Sequence, residues 1–130
     1  MKLRVTLMLL ITAFAILLSA CRTAPVHDVI GAPVVVTDES YDLRAVRDAI
    51  VEAGVSLGWQ MEPTAPGEIL GTLNIRTHMA QVKIPYDKHF YSIIYVSSNN
   101  LNYTGTDIHS NYNGWIQNLD NAIRSRLLVL

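Results

Sequence analysis

Apolar residues recur every three or four positions in two parts of the chain, and this spacing predicts two helices. The first helix begins near Ser40, whose hydroxyl can accept from a free backbone N–H, and ends near Gly58. Its apolar face consists of Leu43, Val46, Ile50, Ala53 and Leu57. The second begins around Ser110, and its apolar positions are Tyr112, Trp115, Ile116, Leu119, Ile123 and Leu127. We expect both faces to be buried, because an apolar stripe must pack against another element.

Residues 59–97, between the two helices, alternate between apolar and polar side chains, which predicts antiparallel strands. The apolar positions are odd-numbered as far as residue 75 and even-numbered from residue 80 to residue 84. A tight connection centred on Thr77 and His78 explains this change of parity. The predicted cross-strand pairs on the apolar face are Ile75 with Ala80 and Leu73 with Val82.

The strand predicted from Phe90 to Ser97 is apolar on both sides, so its register is ambiguous. A connection centred on Asp87 and Lys88 turns one set of side chains towards the helices, namely Tyr91, Ile93 and Tyr95. One residue more or less in the turn buries the other set, namely Phe90, Ile94 and Val96. The pattern leaves both registers open.

These elements predict an α+β domain over residues 40–130, with an antiparallel sheet of three or four strands and an N-terminal and a C-terminal helix packed on one face. Residues 21–39 are predicted to be an extended tether, because Pro25, Gly31 and Pro33 disfavour a helix. The apolar run within the tether predicts that residues 33–37 dock on the domain or pair with a sheet edge.

The first twenty residues have the pattern of a cleaved secretory signal. Lys2 and Arg4 supply positive charge, residues 5–18 are almost entirely apolar, and the small residues Ser19 and Ala20 follow. The apolar stretch is shorter than the roughly 20 residues that a membrane-spanning helix needs. Removal of residues 1–20 leaves eight Lys and Arg against eleven Asp and Glu, a formal charge of −3. Because there is no basic run, we expect no nucleic-acid partner.

The segment Leu18-Ser19-Ala20-Cys21 resembles the lipobox of bacterial lipoproteins, and the resemblance covers residues 1–21. It implies that Cys21 becomes the first residue and carries covalent diacylglycerol and an N-acyl chain such as palmitate. It also implies the outer membrane, facing the periplasm, because Arg22 stands where an Asp favours inner-membrane retention. Cys21 is the one cysteine in the sequence, so it cannot form an internal disulfide.

The sequence contains no recognisable catalytic motif. The four histidines lack the close spacing of preformed metal sites, and no Gly-rich phosphate loop or nucleophile motif is present. We therefore expect neither an enzyme nor a bound metal or cofactor. The best candidate for a partner-binding surface combines aromatic and hydrogen-bonding side chains, namely Arg76, His78, Tyr86, Tyr91, Tyr95 and Tyr103. The competing interpretation is that several of these tyrosines are half-buried core residues.

Two functional hypotheses follow from these observations. The first is a membrane-anchored, non-catalytic module of the cell envelope that binds a protein or another envelope component. The alternative is a small periplasmic ligand carrier or hydrolase that uses His78 or His89.

Overall fold

The computed structural model describes residues 2–8, which are helical, and residues 22–130. The second range contains two further helices, α1 and α2, and seven strands, β1 to β7. In chain order these are β1 Thr23–Pro25, β2 Val29–Pro33, α1 Leu43–Ser56, β3 Gln60–Ala65, β4 Glu68–Ile75, β5 His78–Pro85, β6 Phe90–Asn99, β7 Asp107–His109 and α2 Ser110–Leu127. Most of the predicted signal peptide, together with Cys21, lies outside the described residues, so both assignments stay predictions.

The α+β class is confirmed, but the predicted number of strands is wrong. Five antiparallel strands form the main sheet in the order β2-β6-β5-β4-β3, and β1 pairs with β7 in a separate two-stranded sheet. The additional edge strand β2 comes from residues predicted to be tether. Its Gly31 and Pro33 disfavour a helix, yet both are tolerated on a sheet edge, where one side of the strand needs no partner.

A single hydrophobic core joins both helices to one face of the main sheet. From α1 it contains Val46, Ala49, Ile50 and Ala53, and from α2 it contains Tyr112, Ile116, Leu119, Ile123 and Leu127. The sheet contributes the alternate residues Ile69, Leu73, Ala80, Val82, Ile84, Tyr91 and Ile93. Trp115 lies at the border of this core, only partly buried. The helical periodicity therefore predicted most of both buried faces. The prediction was wrong for Leu57, which is the C-cap of α1 and is 41% exposed because the helix ends before it.

The hairpin between β4 and β5 has the predicted faces but not the predicted register. Leu73 pairs with Ala80 and Ile75 pairs with His78, so the connection is Arg76–Thr77 and the predicted register is wrong by two residues. Because side chains alternate with a period of two, this error leaves every apolar residue on its expected face. Arg76 has φ +55°, a conformation that costs a non-glycine residue about 1–2 kcal/mol.

Strand β6 adopts the first of the two registers. Tyr91 and Ile93 are buried, whereas Phe90 is 54% exposed. Val82 pairs with Tyr95 and Gln81 pairs with Ser97, so Val96 occupies a bulge.

Helix α1 begins two residues later than Ser40 predicts. Asp42 is its N-cap and accepts a hydrogen bond from the Ala45 backbone N–H at 2.8 Å. The helix approaches β3 and β4 closely at two glycines. A Cβ at Gly54 would overlap the Met61 side chain, and one at Gly71 would lie 3.3 Å from the Met61 sulfur. The Met61 side chain therefore lies in the space between the helix and the sheet that the two glycines leave open, and it would have to move if Gly54 carried a Cβ.

Candidate functional site

The structure does not bring the six residues of the predicted surface together. Arg76 and His78 lie at the start of β5, whereas Tyr86 follows its end, roughly 25 Å away for eight strand residues. Tyr86 and Tyr91 form a β-bridge with each other and are buried. Tyr95 is half-buried, and Tyr103 is 44% exposed. The six residues therefore divide into three groups: the buried pair Tyr86 and Tyr91, the pair Tyr95 and Tyr103, and Arg76 with His78 at one polar end.

Tyr91 stabilises the contact between the sheet and α2. Its hydroxyl donates to Asp120 Oδ1 at 2.5 Å, and Arg124 Nε donates to the other oxygen of the same carboxylate at 3.0 Å. Burial, followed by the hydrogen bond to Asp120, raises the pKa of the Tyr91 phenol. The side chain is thus an internal connector and is not available to a partner.

A second tyrosine cluster covers the start of α2. The Tyr95 ring lies 4.3 Å from the Tyr103 ring and 5.7 Å, edge-on, from the Tyr112 ring. The Tyr95 hydroxyl is 2.8 Å from Ser98 Oγ. The Tyr112 hydroxyl, in contrast, is buried without a hydrogen-bond partner among residues 2–8 and 22–130. Burial raises the pKa of this phenol, because the charged form would lose its solvation.

One end of the domain, which we call the Arg22 end, is connected by a series of hydrogen bonds. It consists of Arg22, the Arg76–Thr77 turn, His78, residues 99–102 and the start of α2 with His109 and Asn111. The Ser110 backbone N–H donates to the Arg22 carbonyl at 2.9 Å, and the His109 N–H donates to the Leu101 carbonyl at 2.8 Å.

The hydrogen bonds at the Arg22 end continue from the start of α2 to the hairpin turn. Asn100 Nδ2 donates to Thr77 Oγ1 at 2.8 Å, and the His78 ring is 2.7 Å from the Asn100 carbonyl oxygen. Arg22, which sequence reasoning did not select, therefore shares this end with Arg76 and His78. A hydrogen bond between residues 88 positions apart leaves no signal in the local pattern that could have indicated this.

The first described residues after position 21 are attached firmly to the domain. Strand β1 pairs with β7 through Thr23 with His109, Ala24 with Ile108 and Pro25 with Asp107. Asn113 contacts the same segment twice: its Nδ2 donates to the Pro25 carbonyl at 2.9 Å, and its Oδ1 accepts from the His27 N–H at 3.0 Å.

His89 lies at the opposite end of the domain, in the turn between β5 and β6. Together with residues 34–36, Glu39, Tyr41 and Lys88 it lines a solvent-open groove of about 480 Å³. Asp87 organises the turn by accepting from the His89 N–H at 2.6 Å and from the Phe90 N–H at 2.7 Å, and these bonds lower the pKa of its carboxyl. His89 and His78 thus lie at different ends of the sheet and cannot act on one substrate together.

The face of the main sheet that points away from the helices is divided into two halves. On β2 and β6 it carries an apolar group that we call the outer patch, consisting of Ile30, Phe90, Ile94 and Val96. Ile30 is 71% exposed and Val96 is 44% exposed. Phe90 and Ser92 also line a depression of about 230 Å³. On β4, β5 and the end of β6 the same face is mixed. Gln81 bonds Thr72 and Ser97, each at 3.3 Å, and the half-buried Leu70 and Met79 also lie on this face.

Within the part of the chain that the structure describes, no three His, Cys, Asp or Glu side chains are grouped so that they could hold a metal ion. The described residues also contain no helix that is long and apolar enough to cross a membrane. No protein family, curated protein or solved structure matches this chain.

Proposed function

We propose that this protein is a membrane-anchored lipoprotein of the cell envelope, held by the lipid on Cys21 at the outer membrane and facing the periplasm. Its folded domain is a non-catalytic module that binds another envelope protein through the outer patch. The lipobox-like segment Leu18-Ser19-Ala20-Cys21 supports the anchor. The single observation that carries the binding role is the exposed position of Phe90 beside a surface depression.

The anchor follows from the chemistry of acyl chains. Each buried methylene contributes about 0.8 kcal/mol, so one chain binds a membrane reversibly, whereas two or three chains hold it firmly. A diacylglycerol together with an N-acyl chain supplies three acyl chains and therefore holds the protein firmly. The absence of any other cysteine from the sequence leaves Cys21 as the one possible thioether site.

The outer patch has the composition expected at the centre of a protein interface. An aromatic side chain, Phe90, shares the outer face of β6 with Ile94, and Ser92 lies between them. Ile30 is on the same face of the neighbouring edge strand. Lys83 and the Thr72–Gln81–Ser97 side chains border these residues with polar groups. An apolar centre with an aromatic anchor and a polar rim is the usual arrangement of a binding site for a protein.

The anchor is tested by replacing the thiol. Cys21→Ser should abolish palmitate incorporation and release or mislocalise the protein. A matched control, Cys21→Ser combined with Ser125→Cys, keeps one cysteine but moves it to an exposed position of α2; it should also remain unlabelled. Mass spectrometry of the native protein provides the direct reading, and an unmodified Cys21 or a chain that still begins at Met1 would disprove the anchor.

The binding role is tested by photo-crosslinking in intact cells, with the photoreactive residue at Phe90 or Val96 and, as a control, at the exposed Gln117 of α2. We expect one defined protein adduct from the sheet positions and none from Gln117. The captured protein, once identified and purified, should bind the domain, and Phe90→Ser should weaken that binding at least about tenfold. Equal affinity for wild type and Phe90→Ser, with both folded, would contradict the assignment of the outer patch.

A further inference from the structure

The position of the anchor relative to the folded domain determines how the domain faces the membrane. Cys21 directly precedes Arg22, and consecutive Cα atoms are 3.8 Å apart. The Arg22 carbonyl is held by the Ser110 N–H, and the next three residues are paired with β7. A lipid on Cys21 is therefore separated from the fixed part of the domain by a single peptide unit, and residues 22–25 do not act as the extended tether that the sequence predicts.

We propose that the Arg22 end of the domain lies on an anionic phospholipid surface, an inference that rests on the proposed lipid anchor. The domain stands at a set orientation to the membrane, with the turn between β5 and β6 directed away from the lipid. The lipid headgroups are the partner of the Arg22 end, and the outer patch on β2 and β6 stays accessible to a protein.

The charges at the Arg22 end complement such a surface. Arg22 and Arg76 are exposed there, and His78 and His109 lie beside them, half-buried. Two acidic residues also lie near this group: Asp107 is two residues before His109 on β7, and the Asp28 carboxylate accepts from the Tyr95 backbone N–H. More negative side chains lie at the opposite end of the domain, around the start of α1 and the β5–β6 turn, namely Asp38, Glu39, Asp42, Glu68 and Asp87. Arg44, Arg47 and Lys88 also lie there. The folded chain thus places positive charge next to the anchor although the domain as a whole is acidic.

Arg76 provides an independent indication. It occupies the first position of a two-residue hairpin connection with φ +55°, where glycine is the usual residue. An arginine at this place is unfavourable for the hairpin itself, and its exposed side chain is available to a partner outside the domain. Arg76→Gly is therefore a useful variant, because it removes the positive charge and also removes the conformational cost of a non-glycine residue at this φ.

The test uses the purified lipidated protein in vesicles of phosphatidylethanolamine and phosphatidylglycerol (3:1), with phosphatidylcholine vesicles for comparison. Since the lipid occupies Cys21, a fluorophore can be attached to one introduced cysteine. Asn111→Cys labels the Arg22 end, and Glu39→Cys labels the opposite end; both positions are exposed. Quenching by a nitroxide on the lipid headgroup should be strong at position 111 and weak at position 39.

The charge dependence is tested in the same system. Arg22→Gln and Arg76→Gly should each change the ratio of apposed to detached domains by about fivefold on the anionic vesicles. Arg44→Gln, which removes a charge from the opposite end, should have no effect, and Arg76→Gly should not lower the Tm. Equal quenching at positions 111 and 39, or equal quenching of position 111 on both vesicle types, would overturn the proposal.

Mass spectrometry of the same samples separates the two possible failures. A protein without lipid on Cys21 would disprove the anchor and the proposed function with it. A lipidated protein that shows no difference between the two labelled ends would disprove the orientation alone.

Discussion

Two tyrosines in the core allow a sharp test of the packing, because the same chemical change should have opposite effects on them. The Tyr112 hydroxyl is buried without a partner among residues 2–8 and 22–130, whereas the Tyr91 hydroxyl donates to the Asp120 carboxylate. Leaving a buried hydroxyl without a hydrogen bond costs about 1–3 kcal/mol. A hydrogen bond to a charged acceptor contributes about 1.5–3 kcal/mol.

Tyr112→Phe should therefore raise the free energy of unfolding by about 1–3 kcal/mol, and Tyr91→Phe should lower it by about 1.5–3 kcal/mol. For a domain of roughly 100 residues each kcal/mol corresponds to about 4–8 °C in Tm. Urea denaturation followed by tryptophan fluorescence measures both variants, since Trp59 is buried and Trp115 is half-buried.

The dependence of stability on alkaline pH is a second test of how the two tyrosine hydroxyls are buried. The folded pKa of each phenol is raised above its ordinary value of 10.0, so the phenols of the unfolded chain ionise first and the free energy of unfolding falls as the pH rises above 10. The loss above pH 10 should be smaller in Tyr112→Phe than in wild type. A Tyr112→Phe variant less stable than wild type at neutral pH would refute the reasoning, because the hydroxyl would then make a favourable interaction.

Two further predictions concern the backbone. Gly54→Ala should destabilise the protein by about 1–3 kcal/mol because its Cβ overlaps Met61. Gly114→Ala, in an open part of α2, should stabilise it by about 0.5–1 kcal/mol. Thermal unfolding that shows the same direction of change for both variants would contradict the close approach of α1 to Met61. Asp87→Ala should lower the Tm at neutral pH because two backbone N–H groups lose their acceptor. The folded pKa of Asp87 lies below 3.8, so the difference in Tm between the variant and wild type should shrink as the pH falls through that folded pKa. A Tm difference that stays constant down to pH 2 would show that the carboxylate charge is not involved.

The sequence pattern predicted those features of the fold that repeat along the chain. The helical period identified the buried faces of α1 and α2, and the strand period identified the inner face of the sheet. The register of the β4–β5 hairpin was not accessible in the same way, because a shift by two residues leaves the pattern unchanged. Strand β2 was missed because Gly31 and Pro33 indicate loops and edge strands alike.

The candidate surfaces were harder to predict because they depend on contacts between distant residues. Tyr86 and Tyr91 have the composition of an interface but lie in the core, and aromatic side chains serve both roles. Arg22 joins Arg76 and His78 only because β1 pairs with a strand more than 80 positions later. The outer patch was contained in one of the two registers left open for β6, and the structure selected that register.

The attachment of β1 also has a mechanical consequence. A pulling force applied to the chain at residue 22 must first break the short ladder between β1 and β7 and the two hydrogen bonds of Asn113. Only then is the load transmitted through His27 and Asp28 to β2, at the border of the five-stranded sheet. Under tension, the hydrogen bonds between β1 and β7 should therefore break before the main sheet and the hydrophobic core are disrupted.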